Sequence, residues 1–176
     1  MGGRARILLV DDRRENIVAL EAILSAIGDT TLVAARSGEQ ALAELETADY
    51  AVVLLDVMMP GLDGFETADR IRGGGRNADV PIIFLTAASL RPDATFRGYT
   101  VGAVDYLAKP FDPWVLAAKV SVFVDLHLKG LDQAERMSGR IAAVEETTAQ
   151  LVKDPAAEDT LNELIRRVSE LRDGLS

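Results

Sequence analysis

A chain of 176 residues that is 48% hydrophobic and 27% charged can bury one sizeable core with an appendage, and is too apolar for wholesale disorder. Its formal net charge of -9 is shared out as 12 Lys+Arg against 18 Asp+Glu over residues 1–128 and 7 against 10 over residues 129–176, so neither part is basic enough to grip a nucleic-acid backbone. With no cysteine, disulfide and thiol chemistry are excluded, which fits a cytoplasmic setting; the apolar run at 7–10 is too short for a signal peptide or membrane span, and Arg6 stands where a myristoylation pattern needs Ser or Thr.

The first 128 residues alternate short apolar runs with amphipathic stretches. The first strand covers residues 6–10 and stops at Asp11-Asp12. A helix over about 14–27 follows, with Ile17, Leu20, Ile23, Leu24 and Ile27 on one face and Gly28 as its stop. Residues 31–35 are the second strand, and Ser37 with Gln40 reads as a capping box for a helix whose apolar side includes Ala41, Leu42 and Leu45. The third strand, 51–55, is apolar on both faces, as expected in the middle of a parallel sheet, and ends in Asp56, two methionines and a Pro60-Gly61 turn. Asp63 and Glu66 cap a helix over about 64–72, which leaves through an exposed Gly73-Gly74-Gly75. Residues 82–85 are the fourth strand, 92–101 a weakly amphipathic helix, and 104–107 the fifth strand, ending at Lys109-Pro110. Asp112 as N-cap and Pro113 at the first helical position start a helix expected to bury Val115, Leu116, Val120, Phe123 and Val124.

Past residue 129 aromatics disappear and alanine and charge rise. Met137, Ile141, Val144, Thr148 and Leu151 recur at steps of four and three, and the pattern resumes after Asp154-Pro155 at Leu161, Leu164, Val168, Leu171 and Leu175. Two helices with a sharp joint are expected, forming either an antiparallel hairpin or a coiled-coil seam to a second chain. The domain division is thus 1–128 and a helical extension over 129–176.

Five strands alternating with five helices imply an α/β fold, a doubly wound five-stranded parallel sheet. In the order 2-1-3-4-5 the first and third strands meet at the topological switch point, where ligands bind. Their ends bring Asp11, Asp12 and Asp56 into one pocket, with Thr86 and Lys109 supplied by the fourth and fifth; the second strand offers only Arg36 and Ser37. Three carboxylates so placed repel unless something positive intervenes. A hard divalent cation with oxygen ligands answers that repulsion, and Lys109 and the Thr86 hydroxyl suit a phosphoryl oxygen. These are the parts of a phosphoryl-transfer site with a carboxylate nucleophile; no glycine-rich cradle implies a nucleotide or any other cofactor-binding motif.

At this point the sequence resembles the receiver domain of two-component response regulators. The matching pieces, within a resemblance covering about residues 5–128, are Leu8-Leu9-Val10-Asp11-Asp12, Leu54-Leu55-Asp56-Val57-Met58-Met59-Pro60-Gly61-Leu62-Asp63-Gly64, Leu85-Thr86-Ala87 and Gly102-Ala103-Val104-Asp105-Tyr106-Leu107-Ala108-Lys109-Pro110-Phe111. The resemblance implies a flavodoxin-like fold and a bacterial signalling protein in which Asp56 accepts a phosphoryl group from a sensor histidine kinase or phosphotransfer protein. It implies Mg2+ (or Mn2+) held by Asp11, Asp12, Asp56 and the Met58 backbone carbonyl, Lys109 on the phosphoryl group, Thr86 and Tyr106 as a switch pair, and a cis Lys109-Pro110 bond. It implies a protein partner, or a second copy in a homodimer, on the face formed by the helix over 92–101, the fifth strand and the following helix, or on the tail. No DNA-binding domain and no membrane partner are expected.

Each residue alone has a plainer reading: Asp12 with Glu15 as a helix cap, Tyr106 as core packing, Lys109 as a solvated surface cation, His127 as a packing or surface residue. Two rival functions stand beside the switch. A haloacid-dehalogenase-like phosphatase also uses a strand-end aspartate but needs an acid two residues later, where Met58 stands. A tail binding RNA in antitermination would lack basic excess and aromatic residues for stacking.

Overall fold

The computed structural model describes residues 4–87 and 105–153. The predicted helix over 92–101, and the chain from the Asp154-Pro155 joint onward, lie outside the described residues. In chain order the elements are β1 (Ala5–Val10), α1 (Arg14–Leu24), β2 (Thr30–Ala35), α2 (Gly38–Thr47), β3 (Val52–Asp56), α3 (Gly64–Arg72), β4 (Ile82–Ala87), β5 (Asp105–Lys109) and α4 (Pro113–Lys153). The five strands form one sheet in the order β2-β1-β3-β4-β5, every pairing parallel. Contacts within the chain separate a first unit, Met1–Leu131, from a second, Asp132–Ser176.

The alternation of side chains along each strand sorts the core into two layers. Leu8, Val10, Val53, Leu55 and Phe84 face α2 and α3, where Ala41, Leu45, Phe65, Ala68 and Ile71 meet them. Ile7, Leu9, Val52, Leu54, Ile83 and Leu85 face the opposite way, onto Ile17, Leu20 and Leu24 of α1 and Leu116, Val120 and Val124 of α4. Because β1, β3 and β4 are covered on both faces, residues 7–10, 52–55 and 82–85 are apolar without a break and buried throughout.

Several boundaries move from their predicted places. Helix α1 ends at Leu24, not near Ile27, with Ser25 as its C-cap. The chain must turn back there into β2: the Ile27 N–H bonds to the Leu24 carbonyl, Asp29 takes the left-handed conformation (φ 55), and its carbonyl accepts the Ala5 N–H of β1. Asp29, not Gly28, is the residue with positive φ. Strands β3, β4 and β5 run on to Asp56, Ala87 and Lys109, so Asp56, Thr86 and Lys109 are strand residues. The predicted burial of Val115 is wrong: it is 44% exposed, because the spacing of Leu116, Val120 and Val124 meets the sheet and turns Val115 outward beside Val122 and Leu126.

Capping follows the sequence. Asp63 and Glu66 form a complete box at α3, and Asp112 Oδ1 accepts the Trp114 and Val115 N–H groups at the start of α4. At α2, Ser37 Oγ accepts the Gln40 N–H, while the Gln40 side chain reaches the Arg36 N–H one residue earlier than a capping box would place it. Far from the carboxyl edge, buried Asn77 ties the end of α2 to the start of β3: its amide donates to the Leu45 and Ala48 carbonyls and its oxygen accepts the Tyr50 N–H.

Candidate functional site

The register of the sheet puts its polar residues in one row. Asp56 stands opposite Leu85, Thr86 opposite Ala108, and Ala87 opposite Lys109, so the ends of β3, β4 and β5 finish nearly level. Asp11 follows β1 immediately and its N–H is held by the Ala35 carbonyl of β2. One carboxylate oxygen from each of Asp11, Asp12 and Asp56 lies within 4.8 Å of the others.

Lys109 reaches across from β5. Its Nζ donates to Asp11 Oδ2 at 2.7 Å and to Asp56 Oδ1 at 3.0 Å. Asp11 is fully buried and densely bonded, accepting the Arg13 N–H at 2.9 Å and the Asn16 side-chain amide on both oxygens. Asp56 is 6% exposed. Burial pushes its carboxyl above the ordinary range; the hydrogen bond and charge of Lys109 pull it back, while Asp11 and Asp12 add to the rise. For Lys109 burial works against the charged form, yet its hydrogen bonds to Asp11 and Asp56 outweigh it and hold the ammonium above its usual value. Each partner thus protects the charge of the other against desolvation.

The plainer reading of Asp12 fails. The N-cap of α1 is Arg13, and it makes no side-chain cap bond. Asp12 is instead placed beside the other acids, its backbone carbonyl held by the Arg36 guanidinium at 3.0 Å. Thr86 is 5% exposed, its hydroxyl donating to the Ala87 carbonyl at 3.0 Å. Tyr106 packs against the core with its ring centroid 5.3 Å from that of Phe84. The Lys109-Pro110 bond is cis. Met58 is 70% exposed and lines, with Val57, Met59, Pro60 and Phe65, a cleft of about 650 Å3 beside Asp56.

Gly64 fixes the backbone under Asp56. Its N–H closes the 57–64 loop onto the Val57 carbonyl at 3.0 Å, and a Cβ there would collide with the Asp56 carbonyl and stand 2.8 Å from the Val57 Cα. The turn that makes this approach uses Gly61 at φ 77, the conformation glycine adopts without strain.

Asn16 and Arg36 were not singled out as site residues by the sequence. Asn16 occupies the third position of α1 and reaches back to the strand end much as a capping side chain does, which is its only signal. Arg36 was visible only as a polar residue ending the second strand.

Three carboxylates facing one ammonium leave the pocket with a formal surplus of two negative charges. The donors are all hard oxygens, so their chemistry fits one divalent cation of the Mg2+ type. A doubly wound sheet carrying an acidic pocket and a strand-end lysine at its switch point defines the class of CheY-like flavodoxin folds. Residues 7–121 match the model of the response regulator receiver domain, and the chain belongs to that family.

Similar proteins agree. Transcriptional regulatory protein YvrH of Bacillus subtilis is 37% identical over 134 residues, 76% of this chain and 53% of its own. Response regulator PleD of Caulobacter vibrioides is 35% identical over 149 residues, 84% of this chain and 32% of its own. The chain spans about half the length of YvrH and a third of PleD. Among solved structures, chemotaxis protein CheY4 of Vibrio cholerae superposes with a TM-score of 0.63 at 30% identity, covering 69% of this chain and 99% of its own. A putative response regulator from Chloroflexus aurantiacus gives 0.62 at 34% identity, over 69% and 98%.

Proposed function

We propose that Asp56 is the phosphoacceptor of a two-component switch, charged by the phosphohistidine of a sensor kinase or phosphotransfer protein. The carrying observation is the pocket in which Lys109 bridges Asp11 and Asp56 with Asp12 alongside. An Asp56 carboxylate oxygen attacks the phosphorus, the phosphorus–nitrogen bond of the donor breaks, and the imidazole leaves with the electron pair. No base is needed, since the nucleophile is already an anion at neutral pH.

Asp11, Asp12, Asp56 and the Met58 backbone carbonyl would hold Mg2+ or Mn2+, whose charge supplies neutralisation of the phosphoryl oxygens. Lys109 then exchanges its bond to Asp56 for one to a phosphoryl oxygen while keeping Asp11. The Thr86 hydroxyl turns from the Ala87 carbonyl to the same group. Tyr106, whose ring already lies against Phe84, responds to the space Thr86 leaves. The output is a population shift of the β5 and α4 surface, bounded by the difference in contacts between the two states. Trp114, Val115, Val122 and Leu126 are exposed there, as a contact for a downstream protein or a second copy.

Intact mass after incubation with acetyl phosphate and Mg2+ tests the assignment. Wild type gains one phosphoryl group and Asp56→Asn gains none. An equal gain by both proteins removes Asp56 from the role.

A further inference from the structure

The peptide unit that joins Asp12 to Arg13 is gripped from both sides. Its N–H donates to Asp11 Oδ1 at 2.9 Å, and its carbonyl accepts from the Arg36 guanidinium at 3.0 Å. A trans peptide is planar, with N–H and C=O pointing opposite ways, so two such bonds fix its tilt. Fixing that tilt restrains the torsions on either side of it, ψ of Asp12 and φ of Arg13.

The start of α1 supplies no substitute. Arg13 is its N-cap and makes no side-chain cap bond. Among the described residues the Asp12 carboxylate takes no hydrogen bond, whereas the Asp11 carboxylate takes them from Arg13, Asn16 and Lys109. Asp12 is therefore aimed by its main chain, and one of the two bonds on that peptide comes from Arg36.

Arg36 is itself held in place. Val10 pairs with Ala35 in the register of β1 and β2, and the Asp11 N–H donates to the Ala35 carbonyl, so Arg36 comes where β2 runs out beside Asp11. The Arg36 N–H donates to Gln40 Oε1 at 2.7 Å, and the Gln40 N–H donates to Ser37 Oγ at 3.2 Å. The first turn of α2 thus braces the arginine that braces Asp12.

Toward a cation the guanidinium has two effects of opposite sign. As a positive charge near the acidic pocket it repels Mg2+. As a donor it keeps the Asp12 main chain in one orientation. We propose that the second effect prevails: Arg36, braced by Gln40, is a positioning residue that keeps the Asp12 carboxylate in the cation site. This rests on the reading of Asp11, Asp12 and Asp56 as cation ligands. A plain surface charge would act the other way, and its removal would tighten Mg2+ binding, most of all at low salt.

Titration of the 15N-labelled full-length chain with MgCl2, followed by amide chemical shifts, gives the dissociation constants. Arg36→Ala is expected to weaken binding about two- to tenfold, the span of one hydrogen bond's net contribution. In about 1 M KCl, where the screening length is about 3 Å, the loss relative to wild type is expected to grow, because salt removes the repulsion and leaves the lost bond. Gln40→Ala changes no charge and is expected to weaken binding in the same direction by a smaller factor. The dispersion of the same spectra shows that each variant is folded. Equal or tighter binding by Arg36→Ala at either salt concentration would make Arg36 a surface charge and overturn the proposal. Unchanged binding by Gln40→Ala would overturn the part given to Gln40. A wild type that binds no Mg2+ would remove the cation site itself and Arg36's role with it, a failure visible before any substitution is made.

Discussion

Asp56 sits where two demands conflict. The role proposed for it, nucleophile and metal ligand, requires an anion, yet its place at the end of a buried strand penalises that anion, and burial holds its carboxyl above the ordinary value of 3.8. The sign of the linkage follows. A carboxyl whose folded value is raised favours the fold below the ordinary range, and that contribution is lost as pH rises through the raised value. In metal-free buffer Asp56→Asn is therefore expected to melt higher than wild type at neutral pH. The gap should narrow as pH falls through the raised value toward 3.8, read by thermal denaturation in EDTA from pH 7.5 to 4. A variant less stable than wild type across that range would mean that the Lys109 contact outweighs burial. Lys109 keeps Asp11 as a partner in the variant, so the ammonium is not stranded.

At the scale of elements, the site depends on how closely α3 approaches the end of β3. Gly64 opens the helix directly over the Asp56 and Val57 backbone, and its own N–H ties the loop shut. A methyl group at this position meets backbone, which cannot swing aside as a flexible side chain does. Gly64→Ala is expected to cost about 1–3 kcal/mol, the usual range for overpacking, measured by urea denaturation. It should also slow acetyl phosphate labelling of Asp56 more than a matched loss of stability elsewhere does. A neutral result would show that the 57–64 loop can shift without disturbing the pocket. The same element shows why local pattern reading succeeded here. The Asp63/Glu66 box is chemistry within four residues, so the α3 start was legible from sequence alone. The end of α1 was not, because the fold stops that helix to return the chain to the sheet, and Asp29 carries the turn while the neighbouring glycine does not.

For the whole molecule, the sheet order and the meeting of Asp11, Asp12, Asp56 and Lys109 could be read in advance because they follow from apolar runs and the polar residues that end them. Arg36 and Asn77 could not, since each acts through backbone carbonyls distant in sequence, and a single polar residue carries no periodic signal; Asn16 could not, since its bond to Asp11 joins a polar helix position to a strand end, which no apolar pattern marks. The surplus negative charge of the pocket also has a global readout. A cation that binds only the folded state stabilises it by RT ln(1 + [L]/Kd), about 1.4 kcal/mol at ten times Kd. Millimolar Mg2+ is expected to raise the melting temperature of wild type, and Asp12→Ala to abolish most of that rise. A rise of equal size in the variant would remove Asp12 from the cation site.

The sheet order has a consequence in time as well as in space. Asp11 and Asp56 are synthesised well before Lys109, and the ribosome releases β5 after every other strand. A nascent chain thus carries both acids for some while without the amine that reconciles them. The pocket is therefore completed by the last strand to emerge, and any chemistry that needs both the acids and the amine must wait for it.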